Sequence, residues 1–152
     1  MAGVLFHVNS GEVSLSASTA KTVLQIKSAT NQRVKIKHIR ILGKQPAGGT
    51  DTPIKVRLTR STGSFGTGSA ATLAKNDPSD SETLQTTANA AFTVEPTTPT
   101  DGGLWWEVPP QSGIEEFLPF GDEIRIPGGA SVNFECTSPG TPTLMIEVSG
   151  EE

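Results

Sequence analysis

The chain has no tyrosine, one cysteine, two histidines and only 5% aromatic residues. Each scarcity excludes something. A lone Cys136 rules out an intrachain disulfide, so the fold has no need of an oxidising compartment. His7 and His38 are far apart and neither sits in an HxH or HExxH pattern, which leaves no metal-ligand spacing to read. Long segments with apolar residues at i, i+3, i+4 and i+7 are missing, and with them the signal for helices. No apolar run approaches a membrane span, and Met1–Phe6 is apolar but lacks the basic leader of a signal peptide. The expectation is a soluble chain made in the cytoplasm. The net charge of -4 argues against direct nucleic acid binding. Apolar residues make up 34% of the sequence, so the core is expected to be thin or shared with neighbours.

What remains is a succession of short β-like runs separated by Gly, Pro, Asn and Asp. The longest is Arg33–Leu42. Val34 and Ile36 alternate with Arg33, Lys35 and Lys37, the period-2 pattern of a half-buried strand. At Lys37-His38 the phase slips, and the apolar positions resume at Ile39 and Ile41. A one-residue slip turns side chains to the other face unless a bulge absorbs it. Ile39 and Ile41 are therefore candidates for a second buried face, set against the other sheet, the N-terminal arm or a neighbouring subunit. Ile54–Arg60, Ser131–Cys136 and Thr143–Val148 also alternate. Pro127-Gly128-Gly129-Ala130 fits a type II turn. Residues 61–102 are rich in Ser, Thr, Gly and Ala and read as a long polar crossover holding one or two short strands, with Ala91–Val94 the best. Residues 1–19 read as short strands or as an extended arm. The whole, residues 1–152, is expected to be one all-β domain: an antiparallel β-sandwich, jelly-roll or Greek-key like, of about eight strands.

No catalytic constellation emerges, and no cofactor is implied. Cys136 alternates with Val132 and Phe134 and so faces the core. Gly63–Gly68 lacks the GKS/T ending of a phosphate loop, and no GxSxG elbow is present. The acidic pairs Glu115-Glu116 and Asp122-Glu123 are adjacent on strand-like runs, so their side chains diverge. The basic positions Arg33, Lys35, Lys37, Lys55 and Arg57 would share one outer face if their strands paired, and such a face would suit an acidic partner. Trp105-Trp106 is the most informative pair, since on a strand one must face outward. An outward Trp is an interface anchor, a sugar-stacking platform, or a ring covered by the long loop.

Several segments together resemble small virion structural proteins of tailed double-stranded-DNA bacteriophages, such as the decoration or cement proteins that dress the capsid. They are Ala20–Leu24, Thr30–Ile36, Val56–Arg60, Glu82–Ala88, and Pro110–Gly113 leading to Glu123–Gly129. The resemblance implies a β-sandwich without enzymatic activity, located on the capsid surface of a virion. It would bind the major capsid protein lattice and self-associate, a trimer being one arrangement, with no membrane partner. Candidate contact residues are the apolar arm Val4, Leu5 and Phe6, the pair Trp105 and Trp106, and Ile39 and Ile41. The competing reading is a carbohydrate- or receptor-binding module on a head or tail fibre.

Overall fold

In a computed structural model, which describes residues 3–49 and 51–152, the chain forms two antiparallel sheets packed face to face as a β-sandwich. In chain order the strands are β1 (Leu5–Asn9), β2 (Val13–Ser14), β3 (Lys21–Lys27), β4 (Val34–Lys44), β5 (Ile54–Ser61), β6 (Thr67–Ala71) and β7 (Leu73–Lys75). They continue with β8 (Thr87–Val94), β9 (Thr100–Val108), β10 (Gly113–Phe117), β11 (Ile124–Ile126), β12 (Ser131–Thr137) and β13 (Thr143–Glu151). One sheet runs β10-β4-β13-β1-β7, with β11 also pairing β4 and β2 also pairing β13. The other runs β6-β8-β3-β12-β5-β9. The chain passes repeatedly between the sheets, so most neighbours within a sheet are remote in sequence, as in Greek-key and jelly-roll sandwiches.

The phase slip in β4 is a bulge. Against β13, Ser149 pairs with His38 and Gly150 with Ile36, leaving Lys37 without an opposite residue. The extra residue returns Ile39 and Ile41 to the same inward side as Val34 and Ile36. All four are at most 1% exposed and belong to a single core. Ile39 and Ile41 thus form no second face; they pack inside the sandwich. Gly150 is what lets the bulge close. A Cβ there would lie 2.6 Å from the Lys35 carbonyl and 3.0 Å from the Phe6 ring.

The structure decides three further expectations. The first segment takes the strand reading and not the arm: β1 lies between β13 and β7, with Phe6 and Val8 in the core (residues 1 and 2 lie outside the described residues). Residues 61–102 hold the strand expected at Ala91–Val94, as part of β8, and more than was expected: β6, β7 and the start of β9. The small residues of β6 hid it, because an edge strand with little burial leaves the period-2 rule nothing to register. Gly68 is needed there, since a Cβ would meet the Ala90 carbonyl at 2.7 Å and the Phe92 ring at 2.9 Å. Finally, β4 and β5 lie in different sheets, so their basic residues share no face. Asp77-Pro78 forms a turn without helix, the Asp77 carboxylate accepting the Ser79 amide at 2.9 Å. In the turn 127–130 the left-handed position falls to Gly129 (φ 75°).

The outer face of the six-stranded sheet is partly covered. From β5 the chain must reach β6 at the opposite edge, and it crosses the sheet by way of Phe65. Beneath it lies a buried polar network. Gln25 Nε2 donates to the Phe65 carbonyl (2.9 Å) and to Asn133 Oδ1 (2.7 Å), while Asn133 Nδ2 donates to the hydroxyls of Thr59 (3.1 Å) and Ser61 (3.0 Å). Lys27 Nζ sits 4.0 Å above the Phe65 ring. This explains why Asn133 is fully buried although its side chain points away from the core.

Placing one charge on either half of β4 tests the single core. Ile36→Asp and Ile39→Asp are both expected to abolish cooperative unfolding, each costing more than about 4 kcal/mol. If Ile39→Asp melted like the parent chain in thermal denaturation, Ile39 would not be core.

Candidate functional site

The outer face of the seven-stranded sheet is a charge lattice, paired within itself. Glu151 of β13 bonds Lys37, Glu147 meets Arg40 at 3.3 Å, and Glu115 of β10 meets His38 at 2.8 Å. On the other sheet Arg57 meets Glu135 at 2.7 Å. Of the basic positions that suggested an acidic partner, Lys37 and Arg57 therefore have carboxylates of their own. His7 and His38 fall in one cross-strand row, on either side of Ser149. Their rings are held on opposite sides, His38 by Glu115 of β10 at 2.8 Å and His7 by Asn76 beyond β7 at 3.2 Å. Among the described residues, no group of three or more His, Cys, Asp and Glu side chains is placed to hold a metal. Cys136 is buried, and burial pushes its thiol well up, so it is a poor nucleophile.

Several carboxylates hold backbone. Glu95 accepts the Thr22 amide (2.9 Å), and Glu152 accepts those of Gln85 (2.9 Å) and Thr86 (2.6 Å). The Gly121 amide holds the Glu123 carboxyl below its ordinary value. The Lys37 ammonium, joined by the Gly3 amide, does the same for Glu151.

The surface that stands out is the flank where β9 and β10 meet. Each is the last strand of its sheet, and they follow one another in the chain, so both open edges lie on one side. Trp106 joins them. Its ring packs 6.1 Å from that of Phe134 in the core, and its Nε1 donates to Glu116 Oε2 across the sandwich at 2.6 Å. Glu115, the next residue back, turns outward to His38, so the acidic pair is split as adjacent strand positions require. Phe117 stacks on His38 with ring centroids 4.3 Å apart, yet remains 73% exposed. Phe120, in the following turn, is 96% exposed. Trp105 faces the other way, onto the outer surface of the six-stranded sheet above Arg57, and is 57% exposed.

The structure thus divides the sequence-derived contact residues. Leu5 (44% exposed) and Trp105 are presented to solvent, and Trp106 is half-buried. Val4, Phe6, Ile39 and Ile41 are buried. Phe117 and Phe120 were missed. Their signal was two phenylalanines around Pro119, beside Gly121-Asp122, a place where turn chemistry leaves apolar rings uncovered. Comparison of the chain with protein-family models found no match, nor did comparison with curated proteins or with solved structures.

Two measurements probe these contacts. Trp106→Phe keeps the ring but leaves Glu116 without its donor, and is expected to cost about 1–2 kcal/mol in denaturant unfolding. The depressed carboxyls predict a pH dependence. The folded values of Glu151 and Glu123 lie below the ordinary 4.5, so the unfolded chain binds protons first on acidification. Their contribution is complete above about pH 4.5 and is lost as pH falls through the lowered values. The melting temperature should fall over that window, and Glu151→Gln should make the fall shallower while lowering stability at neutral pH.

Proposed function

We propose that the chain is a non-enzymatic structural protein of a tailed-phage virion, a decoration or cement protein that docks on the major capsid protein lattice and self-associates there. One observation carries the reading. Phe117 and Phe120 stand exposed on the flank of β9 and β10, strands that are each paired along one edge only. Exposed aromatic rings at a sheet edge are costly to leave in water and suit a protein partner. The resemblance of Ala20–Leu24, Glu82–Ala88 and Glu123–Gly129 to virion proteins supplies the class of partner. Repetition over a capsid lattice would offset weak individual contacts.

The test uses particles of the virus that encodes the chain. The protein is expected to co-purify with virions and to rebind stripped capsids in sedimentation assays. The Phe117→Ala/Phe120→Ala double variant, whose sites are exposed, should melt like the parent and bind at least about tenfold more weakly. Absence of the protein from purified particles would overturn the proposal.

A further inference from the structure

The geometry points to a saccharide-binding site on the outer face of the six-stranded sheet, built from Trp105 and the groove beside it, with an uncharged oligosaccharide as ligand. The pairing register sets the layout. Glu135, Arg57 and Trp105 form one row across β12, β5 and β9, and Thr137, Lys55 and Glu107 form the next row on the same face. The second row is the floor of an open groove of about 460 Å³, closed at the end of the sandwich by Ser18, Pro53 and Ser138. That volume lies within the range of small-ligand clefts, about 300–1,000 Å³.

The chemistry narrows the ligand. A pyranose ring has one face of C–H groups and a rim of hydroxyls that both donate and accept, so it needs a flat apolar plate beside mixed polar groups. Trp105 is the plate. The Arg57 guanidinium carbon lies 5.4 Å from the centre of its ring, which steadies the indole while more than half of the residue stays exposed. Arg57 is itself neutralised by Glu135 at 2.7 Å. One row on, Lys55 and Glu107 form no ion pair within 4.0 Å with each other or with any other described residue. They leave an ammonium donor and a carboxylate acceptor free at the groove, next to the Thr137 hydroxyl. Their charges cancel, so the groove favours neither an anionic nor a cationic ligand. Ser18, at the closed end, holds a left-handed backbone (φ 56°) and donates its amide to the Ser138 carbonyl at 2.7 Å, which fixes that wall.

This site is separate from the Phe117/Phe120 flank and does not rest on the capsid proposal. The test applies the full-length chain to an array of short neutral gluco-, galacto- and manno-oligosaccharides, then titrates any hit by intrinsic tryptophan fluorescence. At least one neutral oligosaccharide is expected to bind and to change the Trp105 emission. Trp105→Ala should weaken binding at least about tenfold without lowering the melting temperature, and Glu107→Gln and Lys55→Met should each weaken it several-fold. Phe117→Ala should bind like the parent. The proposal fails if no neutral oligosaccharide binds, or if binding persists unchanged in Trp105→Ala.

Discussion

The sandwich depends on one extra residue. Between Ile36 and Ile39 the chain carries two polar residues where strict alternation allows one, and β4 would split its apolar side chains between two faces if it stayed regular. The bulge at Lys37 prevents this, and it needs help from β13. Gly150 leaves room for the Lys35 carbonyl and the Phe6 ring, and Glu151 takes the Lys37 side chain. β4 and β13 form the backbone of the seven-stranded sheet, so the register of β1, β10 and β11 follows from how this pair is set.

The two faces and the flank then acquire different characters. Glu151 and Glu147 of β13 pair with Lys37 and Arg40 of β4, and Glu115 of β10 bonds His38, so much of the outer face of that sheet is paired within itself. Exposed ion pairs of this kind add little stability, but they leave few free charges for a partner. The second sheet is crossed by the Phe65 connection, whose polar undersurface is met by Gln25 and Asn133. What stays open is the part this crossing does not reach: the Trp105 side of the outer face, and the flank where β9 and β10 end their sheets. Both regions proposed to bind partners lie where the topology ran out of strands to cover them.

Trp105 and Trp106 illustrate the division of labour. Adjacent residues on a strand point to opposite faces, and the structure sends Trp106 to Phe134 and Glu116 and Trp105 to solvent. The sequence required that one face outward; the pairing of β5 with β9 decided which. Phe117 and Phe120 show the reverse. The turn residues around Pro119 mark a place where rings can stay uncovered, but whether they do depends on which strand closes the sheet.

By itself the sequence determined an all-β chain with alternating strands such as Ile54–Arg60 and Thr143–Val148, a core-facing Cys136, and a fault in the middle of β4. These are local properties, readable because side chains on a strand alternate with period two whatever the strand packs against. The tertiary structure alone decided that the fault is a bulge, that β1 is an inner strand, that β6 and β7 exist, and that the basic residues of β4 and β5 lie on opposite sheets. Each of those depends on which distant segment pairs with which, and local alternation does not encode the partner.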